Sequence, residues 1–169
     1  MIPSESNSER LTRKRLIDPR LKAAGWSIVP FLPGKPLANY DSCAIEEFET
    51  ANGPADYALC AEGRIIGIVE AKKLTLGPQS VLTQAERYCK GIENSPFNYR
   101  GFRVPFLYST NGEVIWHHDI RHELCRSHIV TEFPVTFSGK KFERTPRRKV
   151  SGSPEKRVEV GRHSESCPT

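Results

Sequence analysis

The sequence lacks long hydrophobic runs and paired cysteines. No stretch of the 169 residues approaches the roughly 18 apolar residues that a membrane-spanning helix needs. Residues 1–10 are polar and lack the apolar core of a signal peptide, so we expect a cytoplasmic protein. The five cysteines are odd in number and form no CxxC pair, which argues against a disulfide framework and against a ribbon-type zinc site.

The net charge of +5 suggests a nucleic-acid partner, but the surplus lies in one segment. Residues 1–137 carry 16 basic and 16 acidic side chains, whereas residues 138–169 carry 9 basic and 4 acidic ones. The second segment has few large apolar residues and many Ser, Gly and Pro, so its composition predicts disorder. We expect a folded domain over 1–137 and a basic tail over 138–169, either a polyanion-binding arm or a solvated tail.

The order of elements in residues 1–137 predicts an α/β fold with a mixed sheet flanked by helices. A first helix has Ser8 as its cap and Ile17, Leu21 and Ala24 on one face, and it ends at Gly25; Asp18-Pro19 can also start a second short helix. A later helix has Pro78 near its start, Gly91 after its end, and an apolar face of Val81, Leu82, Ala85, Tyr88 and Cys89. The predicted strands are 26–31, 44–48, 54–61, 65–72, 104–110 and 113–117, the last two joined at Asn111-Gly112.

The first helix also carries a basic face. Its members are Arg10, Arg13, Lys14, Arg15, Arg20 and Lys22. A solvated helix surface and a phosphate-contacting surface are both compatible with this pattern.

The hairpin 54–72 contains ionisable residues within apolar runs. Burying Asp56, Glu70 and Lys72 costs several kcal/mol per ion unless a partner or a metal compensates. Glu70 and Lys72 are two residues apart and therefore share a face. Asp56 joins them only if it lies opposite Glu70, which requires a three-residue loop of Glu62, Gly63 and Arg64, or a bulge of equivalent effect.

Two carboxylates and a lysine on one face fit metal-assisted phosphodiester hydrolysis. Adjacent carboxylates repel each other unless a cation lies between them, and oxygen ligands of this kind suit Mg²⁺ or Mn²⁺. A lysine beside the metal can orient the attacking water or stabilise charge on the phosphate. A plain ion pair, in which Lys72 neutralises Glu70, is the simpler alternative.

The sequence segments around these residues resemble those of a known nuclease family. Pro54-Ala55-Asp56 followed by Glu70-Ala71-Lys72 resembles the PD-(D/E)xK signature of restriction-endonuclease-like folds, and Gln84-Ala85-Glu86-Arg87-Tyr88 resembles the QxxxY motif. With Ala24-Gly25-Trp26 and Tyr108-Ser109-Thr110-Asn111-Gly112, these segments are similar to the N-terminal nuclease domain of the type I restriction enzyme R subunit.

The resemblance implies roles for individual residues. It implies that Asp56, Glu70 and the backbone carbonyl of Ala71 bind the metal and that Lys72 is catalytic. It also implies that Gln84 and Tyr88, one helical turn apart, contact DNA or orient the site. Glu47 matches an additional acidic position, for which Glu46 and Glu49 are alternatives.

The sequence departs from the R subunit in lacking a motor. It contains no GxxxxGK[ST] motif, so ATP is expected only through a motor domain absent from this chain. A truncated R subunit, an excised domain and a standalone relative all remain open. We expect an endonuclease domain that acts on double-stranded DNA with helicase-like motor and modification and specificity subunits; the alternative is a catalytically silent DNA-binding or docking fragment.

A second cluster offers different chemistry. His118, His122, Cys125 and His128 include an i, i+4 histidine pair that would suit zinc if the segment were helical. No Cys/His arrangement supports nucleophilic catalysis.

Overall fold

The computed structural model describes residues 7–72 and 82–136. The predicted basic tail, Pro78, Val81 and Cys167 lie outside the described residues. Among the described residues no helix is long and apolar enough to cross a membrane.

The N-terminal segment is helical in three successive pieces. Helix α1 spans Asn7–Thr12, a π-helical turn spans Arg13–Ile17, and α2 spans Asp18–Ala23. Pro19 lies in the first turn of α2, where its missing N–H costs nothing. The backbone stays helical through Ile17 and Asp18, so the segment continues rather than restarting at Asp18-Pro19. Ser8 lies inside α1, so its prediction as the cap is wrong.

Within the described residues, seven strands form one sheet whose order follows the chain. The strands are β1 Ser27–Pro30, β2 Cys43–Thr50, β3 Gly53–Ala61, β4 Arg64–Ala71, β5 Phe106–Thr110, β6 Ile115–Asp119 and β7 His128–Val130, with a 3-10 turn at Leu37–Asn39. The pairs β1–β2 and β4–β5 are parallel, and the other neighbouring pairs are antiparallel. The predicted mixed sheet is therefore confirmed, as is the β5–β6 hairpin around Asn111-Gly112.

Each face of the sheet is covered by helical structure. On one face the N-terminal helical segment packs Ile17 and Leu21 against Tyr57 and Val69. On the other face α3, Leu82–Lys90, buries Ala85 and Cys89 against a cluster that includes Ile68. The strands of the central hairpin are apolar on both faces because both faces are covered.

The β3–β4 hairpin reaches its register by a bulge. Ala61 pairs with Arg64 across a two-residue turn in which Glu62 and Gly63 have φ of 51° and 69°. Positive φ at both positions is what a type I′ turn requires, so the predicted three-residue loop is wrong. The register then shifts between Leu59 and Cys60, because Ile66 is an extra residue in β4. The bulge that the sequence allowed as an alternative is confirmed.

The C-terminal end of α3 is fixed against the β2–β3 turn. Ala51 donates a backbone hydrogen bond to the Gly91 carbonyl, and the Asn52 side-chain amide donates to Arg87. A Cβ on Gly91 would lie 2.8 Å from the Asn52 nitrogen, so only glycine permits this approach. The contact places α3 beside the start of β3.

The described cysteines are free. Cys43, Cys60 and Cys89 are buried, and Cys125 is partly exposed. For these four residues, the expectation of no disulfide framework is confirmed.

Candidate active site

Three acidic residues lie side by side on β2, β3 and β4. Glu47 is flanked by the pairs Glu46–Tyr57 and Phe48–Ala55, which places it beside Asp56. The last β3–β4 pair is Tyr57–Val69, and continuing this register places Asp56 opposite Glu70. The predicted juxtaposition of Asp56 and Glu70 is therefore present.

Asp56 is held from two sides. Its Oδ2 accepts a hydrogen bond of 2.6 Å from the Ala71 backbone N–H, and its Oδ1 lies 3.3 Å from Arg13 Nη1. Its side chain keeps 21% of its surface exposed. Burial nonetheless raises the pKa of Asp56 to about 6, against the opposing effects of Arg13 and the Ala71 N–H.

Ala71 also presents its carbonyl to this site. In an extended strand the N–H and C=O of one residue point towards the same neighbouring strand. Because the Ala71 N–H donates to Asp56, the carbonyl of Ala71 points to the β3 side of β4. The Ala71 carbonyl and Asp56 therefore lie on the same side of β4.

Glu70 is the most buried acid of the group, with 3% of its surface exposed. Its Oε1 accepts a hydrogen bond of 3.1 Å from Lys72 Nζ, while its Oε2 is buried and has no hydrogen-bond partner among the described residues. Burial and the neighbouring Asp56 raise the pKa of Glu70, and Lys72 opposes this rise. An unpartnered buried carboxylate oxygen is costly unless something binds it.

A chain of hydrogen bonds joins β4 to α3. Lys72 Nζ donates to Glu70 Oε1 and to Gln84 Oε1, and Gln84 Nε2 donates to the Tyr88 hydroxyl over 3.0 Å. Gln84 and Tyr88 lie on one face of α3, as their spacing predicts. The helix thereby fixes the position of the Lys72 ammonium.

The donor set suits a hard divalent cation that keeps much of its own hydration. Among the described residues, no three His, Cys, Asp or Glu side chains converge as a closed metal-binding group. Asp56 and Glu70 offer carboxylate oxygens from adjacent strands, and Mg²⁺ is commonly bound by one or two carboxylates with water completing its shell. The unpartnered Oε2 of Glu70 fits such an ion.

Comparisons with known proteins identify the family and the fold of the chain. The family model described as the type I restriction enzyme EcoKI endonuclease subunit second domain matches residues 34–136, more than half of the chain. The chain belongs to this family. The fold also matches a fragment of an HsdR subunit of a type I restriction enzyme from Vibrio vulnificus YJ016, with a TM-score of 0.52 and 23% sequence identity. No curated protein matches the sequence significantly.

The match to the HsdR fragment covers 75% of this chain and 23% of that one. This member of the EcoKI endonuclease subunit family therefore spans less than a quarter of the HsdR chain it matches. At this sequence identity, the likeness to the HsdR fragment shows a shared fold.

The sequence does not predict that Arg13 belongs to the candidate site. It predicts Arg13 on a basic helix face, yet only 4% of its surface is exposed, and it contacts both Asp56 and Glu47. The spacing held a signal for this, because Arg13 is four residues before Ile17 and eight before Leu21, on the buried stripe.

The rest of the predicted basic face divides into two groups. Lys14 pairs with Asp18 and Glu46, and Arg20 donates to backbone carbonyls of Gly112, Glu113 and Thr131. Arg15 and Lys22 are exposed. Arg10 is exposed as well, whereas Arg13 and Arg20 bond within the fold, so the six residues do not form one solvated basic face.

The histidine cluster does not form the geometry that zinc would need. His118 lies in strand β6, so His118 and His122 are not one helical turn apart. His118 Nε2 instead lies 3.1 Å from the carbonyl oxygen of Cys125. The helical segment that a zinc-binding pair required is not present at His118, because the chain after β5 continues as a hairpin strand.

The structure also contains a cavity away from this site. Its volume is about 280 Å³, and it lies at the other end of β3 and β4, beside Glu62 and Arg64. None of the candidate site residues lines it.

Proposed function

We propose that this chain is a metal-dependent endodeoxyribonuclease domain of a type I restriction-modification system, hydrolysing DNA phosphodiesters. The observation that carries the proposal is the Oε2 atom of Glu70, which is buried and unpartnered among the described residues and lies on the same face as Lys72. A carboxylate oxygen left in this state suits a cation.

Asp56, Glu70 and the backbone carbonyl of Ala71 are the proposed ligands of Mg²⁺, which Mn²⁺ can replace. When bound, such an ion supplies charge stabilisation at the phosphate and lowers the pKa of a coordinated water. Asp56 keeps part of its surface exposed, so a phosphate group from solvent can approach it.

Lys72 is the proposed catalytic lysine. In hydrolysis a water oxygen bonds to phosphorus, the bond from phosphorus to one bridging oxygen breaks, and that oxygen takes up a proton. An ammonium group held beside Glu70 can orient the water or stabilise negative charge on the phosphate. Gln84 fixes that ammonium and Tyr88 fixes Gln84, which supports an orienting role for both.

The proposed role of Glu47 is different. Its ion pair with Arg13, at 2.5 Å, directs its carboxylate to the guanidinium. It therefore contributes to the charge balance around Asp56, whose pKa it raises. Glu46 pairs with Lys14 instead, so Glu47 is the better candidate of the two.

The proposed substrate is double-stranded DNA. Membership of the EcoKI endonuclease subunit family supports this substrate, together with modification and specificity subunits and an ATP-driven motor as partners. The sequence choice would come from those partners, because no base-reading motif was found in this sequence.

The test is nicking of supercoiled plasmid in Mg²⁺ or Mn²⁺. We expect the unaltered chain to nick, and Asp56→Asn and Lys72→Ala to lose nicking. Glu93→Gln and Lys22→Ala remove equivalent charges at exposed positions and serve as matched controls. The proposal would be contradicted if the unaltered chain did not nick, or if Asp56→Asn and Lys72→Ala nicked as much as the unaltered chain. Either result would favour a silent DNA-binding fragment.

A further inference from the structure

Arg13 brings a positive charge into the carboxylate group from outside the central hairpin. Its Nη1 lies 3.3 Å from Asp56 Oδ1 and 3.5 Å from the Asp56 carbonyl, and its Nη2 lies 2.5 Å from Glu47 Oε1. One planar guanidinium therefore bridges the acids of β2 and β3, with a separate nitrogen for each carboxylate.

The segment that carries Arg13 is fixed in place. The Asp18 N–H bonds to the Arg13 carbonyl five residues back, which defines the π-helical turn. The Tyr57 hydroxyl donates to Asp18 over 2.6 Å, and Lys14 pairs with Asp18. Single π-helical turns are frequent at functional sites. The segment precedes residues 34–136, the range that the family model matches.

Glu47 adopts a strained backbone beside Arg13. Its φ is 53°, in the left-handed region that non-glycine residues rarely adopt. It interrupts the β2–β3 ladder between Glu46 and Phe48. Strain of this kind persists where surrounding contacts hold it, and the ion pair with Arg13 is such a contact.

Asp56 Oδ1 thus has two possible cationic partners. One is the guanidinium of Arg13, and the other is the divalent cation of the proposed function. Two cations on one carboxylate repel each other, so each weakens the binding of the other. Resting on the proposed function, we propose that Arg13 is an internal counter-ion that competes with the divalent cation for Asp56. It is a positioning residue that stabilises the metal-free site and sets the metal affinity.

This role predicts opposite effects of removing Arg13. Asp56 and Glu47 lose their counter-ion, so the metal-free protein becomes less stable. The divalent cation loses a competitor, so it binds more tightly. A residue with a purely structural role would lower stability without strengthening metal binding.

The experiment compares Arg13→Gln with Arg15→Gln, a matched control on an exposed neighbour of the same turn. Manganese binding is measured by isothermal titration calorimetry, and Tm is measured in chelator and in Mn²⁺. We expect Arg13→Gln to bind Mn²⁺ about tenfold more tightly, with a lower Tm in chelator and a larger rise in Mn²⁺. We expect Arg15→Gln to behave as the unaltered chain.

Arg13→Lys keeps the charge but has one nitrogen in place of the two that contact Asp56 and Glu47, and it provides the test if Arg13→Gln does not fold. We expect it to bind Mn²⁺ with an affinity between those of the unaltered chain and Arg13→Gln. Unchanged or weaker Mn²⁺ binding by the folded Arg13 variants would overturn the proposal.

The outcome for the unaltered chain separates the two proposals. If the unaltered chain binds Mn²⁺ and Asp56→Asn does not, the metal site stands and only the role of Arg13 is tested. If the unaltered chain binds no Mn²⁺, the proposed function and the role of Arg13 fail together.

Discussion

Asp56 lies opposite Glu70 because Ile66 is an extra residue in β4. The turn at Glu62 and Gly63 would by itself place Asp56 opposite Val69 and turn Glu70 to the other face. The bulge corrects the register by one residue, so the two carboxylates lie opposite each other and Glu70 accepts a hydrogen bond from Lys72. The hairpin therefore has a two-residue turn and still places Asp56 opposite Glu70.

Deleting Ile66 tests this relationship. The deletion removes the unpaired residue itself, so Gly67 follows Ile65 and the ladder continues without a bulge. Leu59 stays opposite Gly67 and Tyr57 opposite Val69, so Asp56 stays opposite Glu70. We expect a loss of about 1–2 kcal/mol of stability, because a half-buried isoleucine is removed. Manganese affinity, measured by calorimetry, should stay within about threefold of the unaltered chain.

Deleting Val69 is the contrasting control for the Ile66 deletion. It moves Glu70 one place along β4 and turns its side chain to the opposite face. We expect this variant to lose Mn²⁺ binding. Loss of binding by a folded Ile66 deletion, checked by circular dichroism, would show that the bulge itself is required.

Replacing Gln84 tests how Lys72 is positioned. Gln84→Ala removes the acceptor on α3 and leaves the Lys72 ammonium with Glu70 alone. Removing such a supporting partner at a metal site typically lowers activity about 10- to 100-fold, and we expect a decrease of this size in plasmid nicking. Thr83→Ala, at the exposed neighbouring position, should nick as the unaltered chain does.

Tyr88→Phe refines the test of the α3 contacts. It removes the hydroxyl that accepts from Gln84 but leaves the Gln84–Lys72 bond. We expect a smaller decrease in nicking than for Gln84→Ala. Equal nicking by Gln84→Ala and Thr83→Ala would mean that Lys72 does not depend on this helix.

Much of the fold follows from local sequence patterns. The patterns that predicted it report on neighbours close in the chain: the apolar runs 54–61 and 65–72, the Asn111-Gly112 turn, and the spacing of Ala85 and Cys89. These patterns predicted the mixed sheet and the hairpins that the structure contains. They also placed Asp56, Glu70 and Lys72 on one face.

The features that the sequence did not predict depend on contacts distant in the chain. Arg13 and Asp56 are 43 residues apart, so the spacing that puts Arg13 on the buried stripe with Ile17 and Leu21 does not identify its acidic partner. The choice between a three-residue loop and a bulge likewise depends on how both strands pack, since each gives the same pairing of Asp56 and Glu70. The burial of Arg13 therefore required the assembled fold.

Gly91 tests how α3 is attached to the sheet. A Cβ at this position meets the Asn52 backbone nitrogen at 2.8 Å and the Thr50 hydroxyl at 3.0 Å. Because the backbone must move, we expect Gly91→Ala to cost about 1–3 kcal/mol in chemical denaturation. Glu93→Ala, exposed two residues later, is the control, and equal stability of the two variants would contradict the assignment.

The carboxyl groups of Glu70 and Asp56 predict how the stability of the metal-free protein depends on pH. Burial raises the pKa of Glu70 to about 8 and that of Asp56 to about 6, above their values in the unfolded chain. Free carboxyl groups in an unfolded chain have pKa values of about 4. The folded state therefore holds more protons than the unfolded state between about pH 5 and pH 8. Stability in chelator should fall as the pH rises through this range.

Glu70→Gln isolates the contribution of Glu70 to that pH dependence. The amide does not titrate, so we expect its Tm in chelator to fall less than that of the unaltered chain between about pH 5.5 and pH 8. Mn²⁺ should stabilise the unaltered chain more at the higher pH, because a cation binds the deprotonated carboxylates. Glu93→Gln, at an exposed position, should follow the unaltered chain. A decline in Glu70→Gln as steep as in the unaltered chain would show that Glu70 is already ionised at pH values near its ordinary pKa.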